Sequence, residues 1–181
     1  MDDSPMMMFR EPRRAGMSRT ASVITTQDAG DNIWFGGGLV SFKVTTEQSG
    51  GALMLFEHAA AKGKRTPLHL HPDHDETGQL LEGELLFQID GVEHRVGPGA
   101  GVWIPRGVPH AMLVTSDIAR SVWVVTPGGA MEEFFRQAGD AAPDRTLPPP
   151  DIDVARLLAV GESTGAMKVL GPPPFPEETI G

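Results

Sequence analysis

None of the 181 residues is a cysteine, and that absence removes disulfides, thiolate metal sites and cysteine nucleophiles together. Any metal ion must be held by His, Asp or Glu. No apolar run approaches the roughly 20 residues that span a bilayer, so no membrane partner is expected. The N-terminal stretch MDDSPMMMFREPRRAGMSRTAS lacks the long apolar segment of a secretory signal, and residues 1–30 read as a flexible leader of a cytoplasmic protein. Basic charge is in the minority. The 15 Lys and Arg stand against 24 Asp and Glu, for a formal charge of −9 and a pI near 5.0. Phosphate attraction, which supplies most nucleic-acid affinity, is then repulsive over most of the surface, and nucleic acid is not an expected partner. There is no internal repeat, and the length suits one ordinary domain.

Between Ile33 and Pro127 the sequence is a series of short apolar or alternating runs separated by Gly, Pro and Asp, the spacing of an all-β sandwich or barrel. Strands are predicted at Leu39 to Thr46, Ala52 to His58, Gly78 to Leu81, Leu85 to Asp90, Val92 to Val96, Gly101 to Ile104, His110 to Thr115 and Ile118 to Thr126. Asp90-Gly91 marks a tight hairpin. After Pro127 the pattern changes. Met131, Phe134 and Phe135 fall at helical spacing within Gly129 to Ala138, and Ile152, Leu157 and Leu158 do so within Asp151 to Val160, which predicts two short helices. The runs Pro148-Pro149-Pro150 and Pro172-Pro173-Pro174 connect elements rather than form them. The resulting division is a leader over 1–30, a β-barrel over 31–128 and a helical, Pro-rich extension over 129–181.

The chemistry concentrates in GKRTPLHLHPDHDETGQLLEG, which begins at Gly63. His69 and His71 stand at i and i+2, so on a strand both imidazoles point to one face. Glu76 follows after a short loop and can reach the same point from the next strand. Such geometry suits a β-barrel and is impossible on a single helix. A fourth candidate is His110 in GAGVWIPRGVPH, where Pro105 and Gly107 shape a turn that leads the chain back into the barrel.

These residues resemble the cupin superfamily. Its first motif is a glycine, five residues, His-x-His, three or four residues, a glutamate, six residues and a glycine, and Gly63, His69, His71, Glu76 and Gly83 fit it in full. Its second motif is met by Gly99, Pro105, Gly107 and His110, while Val114 replaces a closing asparagine. Fifteen residues, Glu84 to Pro98, separate the two motifs, as in short microbial single-domain cupins. The resemblance implies a jelly-roll β-barrel with His69, His71, Glu76 and His110 as ligands of one divalent transition metal. A looser resemblance, carried by VTPGGAMEEFFRQAG and LGPPPF, is to bacterial quercetin 2,3-dioxygenase-like cupins. That group often has aromatic residues after the glutamate where this chain has Thr77, Gly78 and Gln79, so a less aromatic, roomier pocket is expected.

A three-His, one-carboxylate site without thiolate suits Fe, Mn, Ni, Co, Cu or Zn. An octahedral ion with four protein ligands keeps two positions, enough for a substrate oxygen and dioxygen. The expected function is a metal-dependent dioxygenase acting on a small enol, phenol or diketone, with Glu76 as both ligand and catalytic base. Alternatives are a redox-inert cyclase or isomerase and a non-catalytic binding module. Phe56, Phe87, Trp103, Met112 and Trp123 are candidate pocket walls. His58, His74 and His94 read as surface or hydrogen-bonded residues, with His74 a candidate outer proton donor or gate, and Asp73 and Asp75 as solvated loop. A homodimer is expected through the apolar segment Ile33 to Gly38, added to a neighbour's sheet.

Overall fold

A computed structural model describes residues 21–148, 152–176 and 179. Most of the leader, together with Pro149, Pro150 and the predicted start of the second helix at Asp151, lies outside the described residues. The chain order is β1 (Asn32–Phe35), β2 (Gly38–Val44), β3 (Met54–Ala61), β4 (Leu68–Leu70), β5 (Asp75–Glu82), β6 (Leu85–Ile89), β7 (Val92–Val96), β8 (Gly101–Ile104), β9 (His110–Val114), β10 (Ile118–Thr126), α1 (Gly129–Ala138), β11 (Asp140–Ala141), α2 (Val154–Thr164) and β12 (Lys168–Gly171). Every predicted strand has a counterpart, while β1, β4, β11 and β12 go beyond those eight runs.

The strands form two antiparallel sheets. One runs β11-β1-β2-β3-β10-β5-β8 and the other β12-β4-β9-β6-β7. Period-two alternation decides what each strand turns inward. On β10 the buried set is Ala119, Ser121, Trp123 and Val125, and on β3 it is Met54, Phe56 and Ala60. With Phe42, Phe87, Ile104, Met112 and Val114 these side chains make one core between the sheets, a jelly-roll barrel. Fully burying side chains of this size contributes about 1.5–3 kcal/mol each. The Asp90-Gly91 hairpin joins β6 to β7 with both residues at positive φ, as a tight mirror-image turn demands.

α1 forms where helical spacing placed it. Its apolar stripe, Met131, Phe134 and Phe135, is buried in the barrel core, and the Phe135 ring lies 4.2 Å from that of Phe35. α2 is displaced toward the C-terminus relative to the prediction. Asp153 caps it by accepting the Arg156 N–H at 2.9 Å, and Gly165, at φ 67°, ends it. Its expected apolar face is poorly covered, since Gly161 alone is buried and Ile152 and Leu158 stay exposed.

The segment Ile33 to Gly38, expected to extend a neighbour's sheet, is used within the chain. β1 is paired with β2 on one side and with β11 on the other, so both of its edges are taken.

Candidate metal centre

Four side chains, three from strands and one from the residue after β4, meet inside the barrel. His69 lies on β4 opposite His110 on β9, at the one register position those strands share. His71 follows β4 by one residue, and Glu76 projects from β5 across the interior. The three imidazoles are buried, with ligand atoms within 4.8 Å of one another. The Glu76 carboxylate stands 3.5 Å from His71 Nε2 through one oxygen and 3.5 Å from His110 Nε2 through the other. All four residues singled out in the sequence are brought together.

The tautomers follow from the backbone. His69 Nδ1 lies 2.8 Å from the Pro67 carbonyl, His71 Nδ1 2.7 Å from that of Ala166 and His110 Nδ1 3.0 Å from that of Val108. A carbonyl only accepts, so each Nδ1 carries the proton, and in the neutral ring each Nε2 keeps its lone pair for the shared centre. This donor set fits a divalent transition ion.

Electrostatics separates these residues, holding His69 neutral and Glu76 ionised while favouring a proton on His110. Burial, then the neighbouring His110 and His71, hold the His69 imidazole down to about 3, so it stays a neutral donor. Burial opposes charge on Glu76, yet His71, His110 and His69 outweigh it and bring the carboxyl down to about 2. For His110 burial also opposes the charge, and the hydrogen bond and charge of Glu76 raise its pKa above the ordinary value.

The turn before His110 is fastened to β5. Arg106 donates to Asp75 from its backbone N–H at 2.9 Å and through Nε and Nη2 at 3.0 and 2.8 Å, so Asp75 serves as a clamp rather than as unattached loop. Gly83 is required by space, since a Cβ there would fall 2.0 Å from the Ile118 carbonyl oxygen.

Some expectations are corrected. Trp103 is not a wall residue: its neighbours Val102 and Ile104 face Gly78 and Glu76, which leaves the indole 65% exposed. Phe56, Phe87, Met112 and Trp123 are buried inside. The space opened by Gly78 is not vacant, because the Trp123 ring fills it, 2.5 Å from where a Cβ would stand. His58 is not a surface residue. It shares the inner face of β3 with Met54, Phe56 and Ala60, its ring lies against Gly38, and burial, then Lys64, lowers its pKa to about 3. Sequence reasoning also passed over Lys64, whose ammonium burial brings down to about 8 against the opposing pull of Glu76. His74 is buried with neither ring nitrogen hydrogen-bonded among the described residues. His94 is exposed.

A jelly roll that gathers inward-facing histidines and a glutamate from motifs of this spacing defines the cupin class. Residues 56–127 match the family model described as a cupin domain, Cupin_2. Over 93 residues it is 28% identical to quercetin 2,3-dioxygenase of Bacillus subtilis, a match that covers 51% of this chain and 28% of that protein. The chain thus spans under a third of that relative's length. Among solved structures, KdgF from Halomonas sp. superposes with a TM-score of 0.52 at 18% identity, over 60% of this chain and 94% of that one. Ectoine synthase from P. lautus gives a TM-score of 0.53 at 21% identity, over 69% of this chain and 88% of that one. These likenesses establish the fold. No helix among the described residues is long and apolar enough to cross a membrane.

Proposed function

We propose that this chain is a metal-dependent dioxygenase that acts on a small enol, phenol or diketone, with one divalent transition metal held by His69, His71, Glu76 and His110. One observation carries the reading: three buried imidazoles converge within 4.8 Å beside a carboxylate, each with Nδ1 engaged by a backbone carbonyl. The likeness to quercetin 2,3-dioxygenase supports the oxidative assignment. When bound, a redox-active ion supplies Lewis acidity toward a substrate oxyanion and a route for electrons to dioxygen.

The chain's own groups do the rest. Glu76 is ionised at neutral pH and accepts the substrate hydroxyl proton at a carboxylate oxygen. Phe56, Phe87, Met112 and Trp123 make the barrel interior apolar. A homodimer remains part of the reading, with the edge strand β8 and its exposed Trp103 in place of β1 as the contact.

The test is elemental analysis of protein purified without added metal, followed by an oxygen-electrode screen of phenols and diketones. Full metal occupancy in a His69→Ala, His110→Ala double variant rejects the ligand assignment. Turnover that persists under nitrogen moves the chain to the redox-inert cyclases or isomerases.

A further inference from the structure

Two of the three imidazoles take their Nδ1 partner from two residues upstream, at Pro67 and Val108. His71 does not. Its partner is the carbonyl of Ala166, 95 residues further along the chain and outside the 56–127 cupin match. Ala166 is completely buried and follows directly on Gly165, whose left-handed φ of 67° ends α2 and turns the chain toward the barrel.

The same segment then grips the strand that carries His69. β12 pairs antiparallel with β4 at Lys168↔Leu70, Val169↔His69 and Gly171↔Leu68. β9, the partner of β4 on its other edge, meets it at His69↔His110 alone. Residues 64–66 just before β4 also bond to β9, through Thr66 N–H to the Met112 carbonyl and Val114 N–H to that of Lys64 at 2.9 Å each, so β12 closes the free edge of β4. The barrel thus supports the His69–His71 strand along β9, and a segment outside the family match covers its other edge.

We propose that residues 165–171 are a positioning element of the metal centre, so that docking of this segment and binding of a divalent metal are one coupled equilibrium. The inference rests on the metal reading above. The Ala166 carbonyl keeps the proton of His71 on Nδ1 and its Nε2 turned to the centre, and β12 fixes the backbone from which His69 projects. Coupling of this kind is reciprocal, so an ion that needs both histidines in place must also hold the segment down. α2 is suited to report it. The helix buries Gly161 against Met167 and Phe134 and packs Leu157 and Val160 only partly buried against the core, while Leu158 stays exposed.

Gly165 separates position from packing. A Cβ at this site meets nothing within 4 Å, so a substitution acts through the left-handed backbone alone. Gly165→Val strains that conformation, whereas Gly165→Asn tolerates it. Zinc affinity is measured by competition with a chromophoric chelator, the Co(II) visible spectrum reports ligand geometry, and hydrogen exchange of residues 166–171 is followed in the wild-type protein with and without zinc. The expected result is a ten- to hundredfold loss of zinc affinity and an altered Co(II) spectrum in Gly165→Val, recovery in Gly165→Asn, and slower exchange of 166–171 on zinc binding. Unchanged affinity and spectrum in Gly165→Val, or exchange at 166–171 that ignores zinc, overturns the proposal and leaves the metal reading standing. A wild-type protein that binds neither zinc nor cobalt overturns both. The exchange experiment needs no variant, so a misfolded Gly165→Val does not remove the test.

Discussion

The backbone N–H of Gly107 donates to the carbonyl of His71 across 2.8 Å, which ties the turn that aims His110 to the strand end that presents His71. The two halves of the candidate site are thus joined through main chain.

Gly107 makes that link at φ 78°, in space where a Cβ would meet nothing within 4 Å. Gly107→Ala should cost about 1 kcal/mol of stability, the penalty of a left-handed backbone, and also weaken metal retention. Gly91 is the control, with the same φ of 78° and the same open space in the β6–β7 hairpin. Urea unfolding should show similar losses for Gly91→Ala and Gly107→Ala, and dialysis against a chelator should strip only the second faster than wild type. Equal retention in both would mean that the link does not orient the ligands.

His74 lies with its ring centroid 6.0 Å from that of His71, and both of its nitrogens are buried without a partner among the described residues. Burial lowers its pKa, which keeps the ring neutral. An unpaired polar group in such a place costs about 1–3 kcal/mol. His74→Phe should therefore raise the urea midpoint of the metal-free protein with no change in slope. A marked fall would show that the ring has a hydrogen-bonding role in the folded state.

Glu132 offers a pH-dependent prediction away from the site. Its carboxylate accepts the Thr46 N–H at 2.6 Å and the Arg136 Nε–H at 2.8 Å, which docks α1 on the barrel. Burial opposes its charge, but these hydrogen bonds and Arg136 hold the folded pKa below the ordinary 4.5. A depressed acid stabilises the fold above its unfolded pKa and loses that contribution as pH falls beneath it. The Tm of Glu132→Gln should accordingly lie below wild type at pH 7, with the gap narrowing once the pH drops under about 4.5. A gap that stays constant down to acid would mean that the charge of Glu132 contributes nothing.

Much of this was legible in the sequence, for reasons that differ by residue. His69 and His71 could be placed on one face because strand side chains repeat every two residues, and Pro105 and Gly107 announced the turn before His110. Parity was also available for His58, two residues beyond Phe56, but a polar residue in a short run reads as surface unless the run is phased from its buried neighbours. Trp103 failed for the opposite reason. Its run, Gly-Val-Trp-Ile, is apolar on both faces, so composition cannot phase it, and only pairing with Gly78 and Glu76 does. The Ala166 carbonyl had no signal at all, because every residue carries the same acceptor and only the tertiary path after Gly165 brings this one to His71.

Glu76 separates holding a metal from using it. Both of its carboxylate oxygens lie 3.5 Å from an imidazole Nε2, one at His71 and one at His110, so it is placed to share whatever those nitrogens bind. Of the four residues it alone can leave that position, take a proton and return, because an imidazole nitrogen engaged by a metal has no lone pair for a proton. The surrounding imidazoles keep the carboxyl near 2, so it meets a substrate as the anion. Displacement by an incoming substrate oxyanion would raise its basicity when a base is needed. Glu76→Gln keeps the size and a weak oxygen donor and removes the proton-accepting charge. Metal content, read by elemental analysis, should fall modestly, while turnover of whichever phenol or diketone the oxygen electrode selects should fall about a hundredfold or more. Normal loading with a near-normal rate would confine Glu76 to holding the ion and send the search for the base to His74, the nearest imidazole outside the cluster.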